Sequence, residues 1–81
     1  MSSEGDVREQ LAPYIGERVV DLLARALRGE PVTDDLTEAE ALLIAWGHAR
    51  AAGAGLSAAD SERFERTFTP TLRAILDEFA A

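Results

Sequence analysis

The sequence predicts an all-α fold, a small bundle of four helices with a fifth short N-terminal helix as an alternative. Apolar residues recur at spacings of three and four along most of the chain, which is the period of an amphipathic helix. Two segments open with capping signals, at Thr37 and at Ser57. No run alternates β-branched and polar residues, and no Asn-Gly or Asp-Gly pair predicts a hairpin. Because the connections are short, we expect antiparallel or orthogonal packing.

The N-terminal part predicts a short helix and a break. Residues 1–5 are small and polar and predict a flexible tail. Helical spacing begins at Asp6, and we expect a short helix over 6–11 that ends before Pro13, because the residue before a proline avoids helical geometry. Pro13 then occupies the first turn of the next helix. One continuous kinked helix is the alternative.

The second and third helices carry clearer signals. An amphipathic pattern places Tyr14 on an apolar face and ends at Gly29. A loop follows over 29–36. The capping box of Thr37 and Glu40 then opens a helix that runs to about Ala52. The body of this helix, over 41–46, is apolar nearly all round and predicts a central position in a bundle or at an interface.

The C-terminal segment contains an ambiguity at Thr69-Pro70. Ser57 to Asp60 resembles a capping box in its spacing. After it, either one kinked helix continues to about Ala80, or Thr69 caps a new helix with Pro70 at its first position. The apolar positions of all the segments predict a single core, made of Leu11, Ile15, Val19, Leu22, Leu23, Leu27, Leu42, Leu43, Trp46, Phe64, Phe68, Leu72, Ile75 and Phe79.

The composition limits the classes of partner that this chain can bind. The chain has 81 residues, which predicts one domain, over 6–81. Fifteen acidic residues against eight basic ones set a net charge of −7, and the basic residues, all arginine, are scattered. Duplex DNA and anionic membranes repel such a chain, so we expect no direct nucleic-acid or membrane binding. The composition is typical of a GC-rich bacterial genome. With no signal-peptide or membrane-span pattern, we expect a cytoplasmic protein.

Residues for catalysis or for metal and cofactor binding are sparse. The chain has no cysteine and a single histidine, His48. A metal site needs several convergent ligands, and no second histidine stands at ligand spacing. Ser57 resembles a cap and Ser61 falls within a helix, so no nucleophile pairs with His48 by pattern. We therefore expect neither enzymatic activity nor a metal or cofactor. No motif is specific enough to indicate a family.

The candidate site is an acidic segment that leads into the apolar helix. Asp34, Asp35, Glu38 and Glu40, here called the acidic stretch, lie between Arg28 and Arg50 with no basic residue among them. Helix capping and solubility explain such acids in most proteins, but they also suit a basic protein surface. Trp46 follows, either as a core residue or as an interface anchor.

These residues predict a non-catalytic protein-interaction module or adaptor whose partner presents a basic surface. Two alternatives remain. One is an inhibitor or nucleic-acid-mimic decoy of the kind that phages and mobile elements encode. The other is a self-assembling homo-oligomer, such as a homodimer, with Trp46 in the seam.

Overall fold

The computed structural model describes the backbone of residues 3–81 and the side chains of residues 6–81. This part of the chain contains five helices. In chain order they are α1 (Ser3–Ile15), α2 (Glu17–Leu27), α3 (Glu38–Ala51), α4 (Ala58–Thr67) and α5 (Pro70–Ala80). The predicted small helical bundle is confirmed, with the fifth helix present. Residues 1 and 2 of the predicted tail lie outside the described residues, and residues 3–5 are the first turn of α1.

The boundary between α1 and α2 corrects the predicted break at Pro13. Helix α1 continues through Pro13 and ends at Ile15. The chain changes direction at Gly16, whose φ of 85° lies in the left-handed region that glycine adopts without strain. The amide of Gly16 still donates to the carbonyl of Ala12 over 2.7 Å. The proline therefore leaves one helical carbonyl without its usual donor, while the glycine sets the boundary.

The other helix boundaries follow the predicted local signals. Helix α2 stops just before Gly29, whose amide donates to Ala26, and the amide of Glu30 reaches back to Arg25. This pair of bonds is a Schellman motif. At the other ambiguity, Thr69 caps α5 through a bond from the amide of Leu72, and Pro70 is the first residue of that helix. Residues 57–80 therefore form two helices.

Helix α3 has the central position that its apolar body predicts. It packs closely on α2 and also contacts α4, whereas α1 packs on α2 and α5. Leu42, Leu43, Ile44 and Trp46 are buried, but Ala41 and Ala45 on the same helix are exposed. The apolar face of α3 is therefore covered within the bundle.

The core differs from the predicted one in four helices. Ile15, Leu27, Ile75 and Phe79 are only partly buried and pack against the core from its edge. The buried residues that were not predicted are Val7, Val20, Ala26, Ile44 and Leu76. Leu76 is fully inaccessible to solvent, because α5 packs on α1 with the face that carries Leu72 and Leu76 rather than Ile75 and Phe79. Within residues 3–81, no helix has the length and apolar character needed to cross a membrane.

Candidate functional site

The acidic stretch begins in the loop before α3 and ends in the first turn of that helix. The predicted capping box is confirmed: the amide of Glu40 donates to Oγ1 of Thr37 over 3.2 Å. In return, the amide of Thr37 donates to Oε1 of Glu40 over 2.9 Å. Glu40 is half-buried. Its carboxylate therefore holds the start of α3 in place, which is a structural role.

Two arginines from other helices reach the acidic stretch, which has no basic residue of its own in the sequence. Arg18 of α2 donates through Nη2 to the carbonyl of Asp35 over 2.7 Å, and its Nη1 lies 3.8 Å from Oε1 of Glu40. Arg63 of α4 donates to Oε1 of Glu38 over 3.1 Å. The stretch is therefore less negative in the fold than along the chain.

The two aspartates of the stretch keep their charge available. The side chains of Asp34 and Asp35 are exposed, and neither forms an ion pair with the side chains that the structure describes. Because they precede the first turn of α3, they are not needed for its cap. Of the four predicted acids, these two are therefore the ones whose carboxylates have no ion pair with a described side chain.

Trp46 is not brought together with the acidic stretch. It is 9% exposed and stacks on Phe64 of α4, with ring centroids 5.5 Å apart and 19° between the planes. The guanidinium of Arg50 lies 5.3 Å from the centre of its ring. Trp46 lines a cleft that contains none of the four acids. Its packing is that of a core residue at the edge of the bundle.

Tyr14, rather than Trp46, is the exposed aromatic residue. Its side chain is 55% exposed, and it is the only large hydrophobic residue with this exposure among residues 6–81. The prediction that Tyr14 belongs to the apolar face of the second helix is wrong, because it lies in the last turn of α1. Gly16, two positions later, was the available signal for the end of α1, since a glycine commonly follows the last residue of a helix.

A shallow groove of about 180 Å³ opens beside this tyrosine. We call it the Tyr14 groove, and its lining is mainly apolar. It is lined by Tyr14, Ile15, Val19, Ala39, Glu40, Leu43 and Phe68. Residues from both ends of the α1–α2 turn thus meet the first turn of α3. Because Glu40 lines the groove and Arg18 links Glu40 to Asp35, the groove and the acidic stretch lie at the same end of the bundle.

The charge of the described surface remains negative after the arginines are paired. Six of the eight arginines form ion pairs, namely Arg8, Arg18, Arg28, Arg50, Arg63 and Arg73. Carboxylates without an ion pair to the described side chains remain at Asp6, Glu9, Glu17, Asp34, Asp35, Glu62 and Glu78. Three members of this set lie near Arg18. Glu17 precedes Arg18 in the chain, and Asp34 and Asp35 belong to the loop in which the carbonyl of Asp35 accepts a hydrogen bond from Arg18. Carboxylates without an ion pair to the described side chains therefore remain at this end of the bundle.

His48 has a structural contact. Its Nε2 lies 2.7 Å from the carbonyl oxygen of Glu30, and because a carbonyl only accepts, Nε2 carries the hydrogen. The bond ties the α2–α3 loop to the last turn of α3. The carboxyl of Glu30 is itself held by Arg28, whose hydrogen bond and positive charge lower the pKa of Glu30 below its usual value. No cluster of three metal-ligating side chains occurs among residues 6–81.

Comparisons of the chain with protein-family models, with curated proteins and with solved structures gave no match.

Proposed function

We propose that this chain is a non-catalytic protein-binding module, and that it binds through the Tyr14 groove and the free aspartates beside it. The observation that carries the proposal is the exposure of Tyr14 at the mouth of an apolar groove. Tyrosine is enriched at the centre of protein interfaces, where its ring supplies contact area and its hydroxyl a hydrogen bond.

The partner we propose presents an apolar side chain surrounded by lysine or arginine. The apolar side chain fills the groove between Ile15, Val19 and Leu43. The cationic groups approach the carboxylates of Asp34 and Asp35, which form no ion pair with the described side chains. Arg18 binds Asp35 only at its backbone carbonyl. Exposed charges of this kind speed encounter and select the partner more than they add affinity, so binding falls as salt screens them.

The test is affinity capture from a lysate of a GC-rich bacterium, the source that the composition predicts. Tagged wild type, Tyr14→Ala and Asp34→Lys/Asp35→Lys are compared, with washes at low and then moderate salt. Glu78→Lys is the matched control. It reverses one exposed acid near the C-terminal end of α5. Glu78 lies about 12 Å along that helix from its first residue, Pro70, which stands two positions after the groove residue Phe68.

The proposal predicts a protein that wild type and Glu78→Lys retain at low salt and that the other two variants lose. Equal capture by all four proteins, or capture of none, would contradict it. Recovery of only untagged copies of the chain would favour the self-assembling homo-oligomer instead. Displacement of the captured protein by added DNA would favour the nucleic-acid-mimic alternative.

A further inference from the structure

A second concave site lies at the far side of Trp46 from the core, where α3, α4 and α5 meet. Its volume is about 330 Å³, at the small end of the range for ligand pockets. Trp46, Leu56 and Phe64 supply its apolar lining. The rings of Trp46 and Phe64 stack on each other, with 5.5 Å between their centroids, and we call this ring pair the aromatic wall. A ligand of this site has the size of an amino acid rather than of a nucleotide cofactor.

Two ion pairs connect the helices that line this cleft. Nη1 of Arg50 on α3 lies 3.7 Å from Oδ1 of Asp77 on α5. Nη1 of Arg73 on α5 lies 3.6 Å from Oε1 of Glu65 on α4. All four charged residues also line the cleft. Exposed ion pairs at these distances contribute little to stability, so a ligand can replace either partner without a large loss.

Arg50 places its positive charge next to the aromatic wall. Its guanidinium lies 5.3 Å from the centre of the Trp46 ring. A carboxylate bound to Arg50 therefore places the rest of a small ligand next to Trp46 and Phe64. Asp77, the present partner of Arg50, is then free to accept hydrogen bonds from a cationic group on the same ligand.

We propose that this cleft binds a free α-amino acid with an apolar, preferably aromatic, side chain. The ligand's carboxylate binds Arg50, its ammonium binds Asp77, and its side chain packs against Trp46 and Phe64. A ligand with one charge only would leave either the arginine or the aspartate without a counter-charge. A zwitterion serves both, and an aromatic side chain gains from edge-to-face contact with the aromatic wall. This site is independent of the Tyr14 groove.

The test titrates the full chain with L-phenylalanine while the fluorescence of Trp46, its only tryptophan, is recorded. Excitation at the red edge of the indole band avoids absorption by the ligand. We expect a saturable change with a Kd on the order of 1 mM, the weak end of the range that ligand efficiencies give for a molecule of this size. N-acetylphenylalanine and phenylalanine amide each lack one charged contact and bind about two- to fivefold more weakly, because Arg50 and Asp77 are exposed. Glycine lacks the apolar contact and binds more weakly still.

Arg50→Gln and Asp77→Asn identify the site. Binding to these variants is followed by calorimetry, because Arg50→Gln also changes the surroundings of Trp46. Both are expected to weaken L-phenylalanine binding about two- to fivefold, while Arg28→Gln, which breaks an exposed ion pair elsewhere, leaves it unchanged. The absence of saturable binding would overturn the proposal. So would equal binding of the acetylated and amidated ligands, or wild-type affinity in Arg50→Gln.

Discussion

Gly47 on α3 lies directly against Leu23 on α2. A Cβ atom placed on Gly47 would lie 2.9 Å from Cδ1 of Leu23 and 3.1 Å from Cβ of Ala26. Both neighbours are fully buried, so either can shift only by displacing other atoms of the core. The absent side chain lets the two central helices approach closely, and that approach buries the apolar body of α3.

Gly47→Ala is therefore expected to lower the free energy of unfolding by about 1 kcal/mol. Alanine favours a helix by about 1 kcal/mol over glycine, but overpacking costs about 1–3 kcal/mol, so the clash prevails. Gly47→Val should cost more, about 2 kcal/mol or above. Urea unfolding measures both. Gly55→Ala is the control, since nothing lies within 4 Å of its Cβ position, and it should be neutral or slightly stabilising. A stabilised Gly47→Ala would refute the close contact.

Pro13→Ala is expected to raise the free energy of unfolding by about 1 kcal/mol or more. The substitution restores the amide donor that Pro13 lacks within α1. The proline side chain is exposed, so its loss removes little packing. Urea unfolding tests this prediction. A loss of stability would instead mean that α1 needs the proline in order to bury Leu11 against the core.

Thr37→Ala is expected to lower the free energy of unfolding by about 1 kcal/mol, because the amide of Glu40 loses its cap. Thr37→Ser keeps the hydroxyl and should retain most of the stability. Thr71→Ala, at an exposed position within α5, serves as the control and should change little. Thermal and urea unfolding of the three variants decide the matter. Equal effects at Thr37 and Thr71 would show that the capping box adds nothing.

The pKa of the Glu30 carboxyl is expected to lie below its ordinary value of 4.5, because Arg28 binds the charged form. Arg28→Gln should raise this pKa, and Arg25→Gln should raise it less, since Arg25 acts only through its charge. A carboxyl with a lowered pKa in the folded state stabilises the fold above its unfolded-state pKa. That contribution is lost as the pH falls through the folded-state value. NMR titration of the side-chain carboxyl measures the shift. An unchanged pKa in Arg28→Gln would contradict it.

Local signals in the sequence determined most of the helices. The signals at Thr37 with Glu40 and at Gly29 predicted helix ends correctly, because capping bonds join residues three to five positions apart. The signal at Thr69-Pro70 left one kinked helix or two helices open, and the structure has two. The helix break predicted at Pro13 was wrong, because a proline within a helix removes one hydrogen bond and packing of the helix can offset that loss. Helix α1 packs on both α2 and α5.

The tertiary structure alone decided the character of the candidate site. Arg18 and Arg63 reach the acidic stretch from 17 and 25 positions away along the chain, so no local pattern could show that they neutralise part of it. The same holds for the aromatic residues. Trp46 is buried because α4 places Phe64 against it, and Tyr14 stays exposed because α1 ends there with no other helix covering its ring. Exposure and charge pairing depend on which helices pack together, whereas helix ends are set mainly by capping bonds between residues that are close in the sequence.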